Sequence, residues 1–270
     1  MLKTSTKAIG LTAAAVLALT LGAVTPATAA VKPTFGNVSA SNPGSVTVPS
    51  GSAKTKRITV KFDGPAAPSS NPSQITYGIY GADFYGPKIK LVKKNKGVKS
   101  RYVYTPSVSA DTTSPTPAAG GTVSTRIWSH HTPGRYKVTI PVTQHDRRVS
   151  PTKNTTRSTT KYLTIKANTK VSRKSTSISG SGRTGKTWRV TVNAPNYQAG
   201  AKVTLYAKKK GAKKYKRVAS GKLKSTSSSY SKTSKLKLPG KYTKKGSRAY
   251  VKVGSVTYAA GYKSSPQKVR

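Results

Sequence analysis

A period-two alternation of apolar and polar residues, in runs too short for helices, most restricts what this chain can fold into. Ile58, Val60 and Phe62 alternate with Arg57, Thr59 and Lys61, and Tyr136, Val138 and Ile140 with Lys137 and Thr139. Leu163 and Ile165, then Trp188, Val190 and Val192, then Val251 and Val253 continue the pattern. Successive side chains on a strand point to opposite faces, so each run offers one apolar face and one Lys/Thr face. That is the requirement of a half-buried antiparallel sheet. Turn formers punctuate the runs at Ser41-Asn42-Pro43-Gly44, Gly64-Pro65, Thr132-Pro133-Gly134 and Pro239-Gly240. Beyond the N-terminus no amphipathic helical stretch of useful length occurs. Many short strands with turns every ~8–12 residues predict an all-β fold of sandwich or barrel type.

Charge decides what the outside of such sheets can do. Among 270 residues, 50 Lys and Arg face four acidic residues, giving a formal charge of +46. The acids are Asp63, Asp83, Asp111 and Asp146; there is no Glu and no Cys. Disulfide staples, thiolate metal sites and thiol catalysis are therefore excluded. A hydrophobic content of 34% still permits a buried core.

The N-terminus carries the pattern of a secretory signal. Lys3 and Lys7 precede an apolar run from Ala8 to Val24, followed by Pro26 and the small residues Ala27-Thr28-Ala29. Cleavage before Ala30 makes residues 1–29 the signal peptide and the mature protein extracellular, free or held to a cell wall by charge. The run is short and interrupted for a membrane span, which needs about 20 apolar residues. Its Ala/Thr-rich character resembles the signals of actinomycetes.

Composition shifts near Lys166 to Ser175. Residues 31–167 hold 21 basic and four acidic residues and all three His; residues 168–270 hold 27 basic residues and neither acid nor His. Two tandem antiparallel β-sandwich domains, 31–167 and 168–270, are expected, joined around Ala167 to Arg173. The segments Gly64 to Ser73 and Ser107 to Gly121 are predicted as loops. In the second half the order is Thr187-Trp188-Arg189-Val190-Thr191-Val192, Gly200-Ala201-Lys202-Val203-Thr204-Leu205-Tyr206, Tyr215-Lys216-Arg217-Val218-Ala219 and Arg248-Ala249-Tyr250-Val251-Lys252-Val253. Over residues 175–262 this resembles the Ig-like accessory domains of secreted actinobacterial proteins. The resemblance implies an Ig-like fold and a supporting or binding role, and it carries over no catalytic residue. Lys enrichment and the lack of acidic turn residues set this copy apart. Gly134-Arg135-Tyr136-Lys137-Val138 looks like the penultimate strand of a diverged first copy.

Three cation clusters stand out. Lys208, Lys209, Lys210, Lys213, Lys214, Lys216 and Arg217 flank Gly211, which suits a hairpin tip. Lys88, Lys90, Lys93, Lys94, Lys96, Lys99 and Arg101 bracket Gly97, and Lys235, Lys237, Lys241, Lys244, Lys245 and Arg248 flank Gly240 and Gly246. Uncompensated cations projected together repel unless anions gather there, so Lys-rich hairpin tips predict a polyanion-binding surface. A solvated face that keeps an exported protein soluble is the plainer alternative. Lys outnumbers Arg 37 to 13, which favours sequence-independent attraction over base reading. Tyr102, Tyr104, Tyr206, Tyr215, Tyr242 and Tyr250 sit within basic runs; they can stack on bases or sugars, although cross-strand packing is their commoner use.

Chemistry is weakly signalled. His130 and His131 are adjacent and point to opposite faces of a strand, which makes them a poor chelating pair. His145-Asp146 is the one His–carboxylate neighbour pair, and no G-x-S-x-G elbow accompanies it. The remaining Asp residues have turn contexts, and no metal or cofactor is expected. The sequence thus predicts a non-enzymatic exported protein that binds cell-wall phosphate polymers, acidic polysaccharide or extracellular DNA. A structural surface protein that contacts another protein is the alternative. A hydrolase using His145 and Asp146 and a cationic antimicrobial rank below it.

Overall fold

A computed structural model describes residues 35–64, 70–71, 73–79, 86–110, 120–227 and 229–269. The expected signal peptide, Asp83 and Asp111 lie outside these residues, as does most of the expected 64–73 loop. Among the described residues no helix is long and apolar enough to cross a membrane.

The first sandwich contains β1 (Val38–Ala40), β2 (Ser45–Thr47), β3 (Lys54–Phe62), β4 (Ile75–Gly78), β5 (Lys88–Lys94), β6 (Ser107–Ala110), β7 (Gly120–Ile127), β8 (Gly134–Asp146) and β9 (Lys153–Lys166). One sheet has the order β1-β3-β7-β6 and the other β2-β9-β8-β4, with β5 also on β8. This division of early, middle and late strands is that of an Ig-like sandwich. The alternation dictates which face is inside: Ile58, Val60, Tyr136, Val138, Ile140, Leu163 and Ile165 have no accessible surface. The Gly134–Val138 segment belongs to the penultimate strand of this sandwich.

Two details depart from expectation. β2 pairs with β9 in parallel, Val46 opposite Ile165, so the sheets are not wholly antiparallel. The chain crosses from one sheet to the other between β1 and β2, and Gly44 (φ +63°) takes the left-handed turn there. Within the expected 107–121 loop, Ser107–Ala110 form β6 and Gly120 begins β7. Val108 is buried on the β6 inner face, and one apolar residue among Ser and Ala was too faint an alternation to read as a strand.

Asn168 caps a short helix, α1 (Thr169–Lys174), with its side-chain oxygen accepting from the backbone N–H groups of Lys170 and Val171. The second sandwich follows, with β10 (Ser177–Ser181), β11 (Trp188–Pro195), β12 (Lys202–Lys208), β13 (Lys216–Lys222), β14 (Lys224–Ser225), β15 (Tyr230–Leu238), β16 (Arg248–Val253), β17 (Tyr262–Lys263) and β18 (Gln267–Lys268). Its sheets run β10-β11-β15-β14 and β13-β12-β16-β17, with β18 also on β16. The core is built from Val190, Val192, Val203, Leu205, Leu236, Val251 and Val253 with the small residues Ala194, Ala201, Ala207 and Ala249.

The sandwiches belong to one compact unit, Thr34–Arg270. Asn95, 1% exposed, joins them. Its side-chain amide donates to the Tyr197 carbonyl at 2.7 Å, and its oxygen accepts the Tyr258 N–H at 2.9 Å. Gly97 passes so close to Ala199-Gly200 that a Cβ there would lie 2.4 Å from their backbone. A glycine is required for that approach, since the Asn95–Val98 turn that carries it uses no left-handed φ.

Candidate anion-binding face

The sheet β13-β12-β16-β17 presents one face to the core and the other to solvent. Val203, Leu205 and Ala207 of β12 point in, which forces Lys202, Thr204, Tyr206 and Lys208 out. On β16, Ala249, Val251 and Val253 point in, so Arg248, Tyr250 and Lys252 point out. Register then lines the cations up across strands. Lys208 faces Arg248, which faces Lys268, and Lys252 faces Lys263. Like charges directly opposite one another destabilise a sheet. Residues 168–270 contain no carboxylate side chain to offset them.

Tyrosines stand between these cations. Tyr206 lies between Arg217 and Tyr250 in the same cross-strand row. The Tyr206 and Tyr250 rings stack at 5.0 Å, and Tyr215 meets Tyr250 edge-on at 4.8 Å. The Lys263 ammonium sits 4.2 Å from the Tyr250 ring centre, and that of Lys208 5.1 Å from Tyr215. Each such contact contributes about 0.5–1 kcal/mol at an exposed site. Strands β12 and β17 flank β16, so Tyr206 and Lys263 take up the two sides of Tyr250. These contacts offset part of the repulsion on a crowded basic face.

Two of the three predicted clusters meet at one end of this sheet. The β12–β13 connection carries Lys209, Lys210, Lys213 and Lys214, all exposed, and turns at Gly211 with φ +78°. Lys216 and Arg217, also exposed, follow on β13. Lys244 and Lys245 lie in the turn before β16. That turn is not a hairpin tip as expected: it crosses from β15 in one sheet to β16 in the other. It nevertheless abuts the hairpin, since a Cβ on Gly246 would lie 3.0 Å from the Lys210 side chain. The side chain of Lys235 lies outside the described residues.

The third cluster is placed elsewhere. Lys93, Lys94 and Lys96 belong to β5 and the bend after it, which leads to the other sheet and is not a hairpin. Gly97 lies in the Asn95–Val98 turn without a left-handed φ and is pressed against the second sandwich, which is what requires glycine there. Charge spacing alone could not separate a hairpin from an inter-sandwich bend, because both accept Gly between basic strands. Sequence reasoning also passed over Lys252, Lys263 and Lys268. The Arg248/Tyr250/Lys252 alternation was a usable signal for the first; the two-residue strands β17 and β18 gave none.

His145 and Asp146 do not face one another. The His145 Nδ1 lies 2.6 Å from the Asn154 side-chain oxygen. The Asp146 carboxylate receives two hydrogen bonds from the Arg148 guanidinium at 2.9 and 2.8 Å, which hold its pKa below the usual carboxylate range. His131 is buried, and its Nδ1 accepts the Trp128 backbone N–H at 3.0 Å. Burial, followed by the charge of His130, lowers its pKa to about 4. Among the described residues no three His, Cys, Asp or Glu side chains cluster as metal ligands.

No family model matches the chain, and no curated protein matches it. Among solved structures it is similar to the YadV chaperone, at 9% identity and a TM-score of 0.25, over 86% of this chain and 98% of that one. It is likewise similar to a marsupial T cell receptor, at 12% identity and a TM-score of 0.25, over 86% of this chain and 72% of that one. The Ig-like assignment rests on strand order and register.

Proposed function

We propose that this chain is an exported, non-enzymatic protein whose second sandwich holds anionic polymers by charge. The observation that carries the reading is the gathering of Lys208, Lys209, Lys210, Lys213, Lys214, Arg248 and Lys268 at one end of a sheet whose domain has no carboxylate side chain. Such a face is relieved when a phosphate or sulfate polymer replaces its loose counterions, a gain that is largely entropic. Cell-wall phosphate polymers are the first choice of partner, because the N-terminal segment reads as an export signal. Acidic polysaccharide and extracellular DNA present the same chemistry. The excess of Lys over Arg favours a partner recognised through charge spacing and not through bases. The export segment also supports an extracellular, wall-associated location.

The test is a salt titration of binding to duplex DNA, heparin and a purified wall phosphate polymer. Log affinity should fall linearly with log salt, by about 0.9 per phosphate neutralised on duplex DNA. Replacing Lys209, Lys210, Lys213 and Lys214 together by Gln should lower that slope by roughly one per contact removed. Failure to bind all three at low salt would end the proposal. An unchanged slope would move the site away from this hairpin.

A further inference from the structure

The cleft between the two sandwiches differs in chemistry from three other clefts of the molecule. It has a volume of about 230 Å³ and is lined by Tyr104, Ser129 and His130 of the first sandwich and by Asn196, Ser229 and Tyr230 of the second, among others. No Lys, Arg or Asp lines it, whereas three other clefts include Lys268, Lys174, and Arg135 with Lys161 respectively. In a chain of +46, a neutral concave site is an exception that needs an account.

Its two aromatic walls are exposed yet held. Tyr104 is 48% and Tyr230 51% exposed, the highest values among the large hydrophobic side chains described as exposed. Hydrophobic driving force alone would bury both rings. Their backbones are clamped: the Tyr104 N–H donates to the Thr132 hydroxyl at 3.0 Å, and its carbonyl accepts the Thr132 N–H at 2.9 Å. The Tyr230 N–H donates to the Ser227 hydroxyl at 3.0 Å, and its carbonyl accepts from Ser227 and Thr226. His130 braces Tyr104 edge-on at 5.8 Å. Asn196 ties the floor together, accepting from Ser225 at 2.5 Å and donating to the Tyr102 carbonyl of the first sandwich at 3.4 Å.

We infer that this cleft is a second binding site, for a neutral sugar ring of a glycan. An anion finds no partner charge here and is better served on the sheet face. A cation is repelled by the whole molecule. A purely apolar ligand makes no use of the exposed Ser129 and Ser229 hydroxyls. A neutral pyranose meets each condition, with its C–H face against a tyrosine ring and its hydroxyls toward the serines and His130. The volume falls below the ~300–1,000 Å³ of sites for drug-sized ligands, so it fits one ring of a chain. Cleft positions between domains are common ligand sites, and aromatics carried on a fixed backbone lower the ordering cost of binding.

The test uses the full mature chain titrated with neutral tetrasaccharides of glucose, mannose and N-acetylglucosamine, read by calorimetry and ligand-observed NMR. Saturable binding to at least one is expected, with affinity changing by less than about twofold between 0.1 and 1 M salt, since no ion pair is involved. Tyr104→Ala and Tyr230→Ala should each weaken it about tenfold or more, while an unchanged cooperative urea-unfolding transition reports an intact fold. Ser229→Trp, which fills the cleft from its exposed side, should abolish sugar binding if either Ala variant fails to fold. Absence of binding to all three sugars, or binding indifferent to these variants, would overturn the inference. Loss of sugar binding with DNA binding intact leaves the charge-based function standing; the reverse outcome removes that function and keeps this site.

Discussion

The two sandwiches share an inner logic and differ on the outside. Both bury alternating Val, Ile and Leu, but the first fills its centre with Phe35, Phe62, Tyr77 and Tyr136, whereas the second interleaves Ala194, Ala201, Ala207 and Ala249. The first retains an Asp146–Arg148 pair and all three His; the second has neither acid nor His. One core design therefore tolerates two electrostatic regimes, because strand alternation separates core from surface. The second sandwich carries uncompensated charge on a sheet that still closes over its own core. Each sandwich holds one of the two tryptophans, Trp128 and Trp188, so single-tryptophan variants can follow the two separately.

The largest expected effect is in the small-residue core. Leu205→Ala should cost about 2–5 kcal/mol, because it leaves a void between the sheets. Urea unfolding followed at Trp188 should shift strongly, and equal shifts at Trp128 would show that the halves unfold as one. Gly97→Ala sharpens that point. Its Cβ meets the Ala199-Gly200 backbone, so it should cost about 1–3 kcal/mol as an overpacked contact. Two tryptophan transitions that coincide in wild type should then separate.

Acid should act on one half only. The unfolded His131 takes up a proton near pH 6.5, while its folded pKa is lowered to about 4. Between these values the unfolded chain binds more protons, so stability falls with falling pH and the loss is complete near pH 4. The expected loss is about 1–3 kcal/mol in the Trp128 transition. Residues 168–270 offer no side chain that titrates between about pH 4 and 9, so the Trp188 transition should stay flat unless the halves are coupled. An equal acid response in a Gly97→Ala background would break the comparison. The smallest effect belongs to Asp146→Asn. The carboxylate has a depressed pKa, so its pairing with Arg148 stabilises above about pH 4 and is lost as pH falls further. For a surface pair the difference should be below about 1 kcal/mol, measured as the wild-type minus variant midpoint at pH 7 and pH 2.

Much of the fold was legible because a sheet needs only a period of two. The runs at Ile58, Tyr136, Leu163, Trp188 and Val251 each fall in a strand with the expected face inward. What stayed hidden depended on contacts distant in sequence. The parallel β2–β9 pair joins residues more than a hundred positions apart, and β6 contributes one buried valine. At the candidate site, Gly211 was readable as a turn, because glycine between lysines has a local meaning. Gly97 looks the same in sequence, yet its reason lies in the other sandwich. The approach of the Lys244–Gly246 turn to Lys210 comes from the crossing between sheets, and the addition of Lys263 and Lys268 from register across strands, neither of which a run of residues announces by itself.

The central claim is that anionic polymers settle on the second sandwich and not on basic surface at large. Lysine protection from chemical acetylation, compared with and without polyphosphate at low salt and read by mass spectrometry, addresses it most directly. Lys209, Lys210, Lys213, Lys214, Lys244, Lys245, Lys263 and Lys268 should be protected, with protection lost as salt rises, while Lys137, Lys153 and Lys161 of the first sandwich react as before. Uniform protection of both sandwiches, or protection centred on the first, would contradict the account.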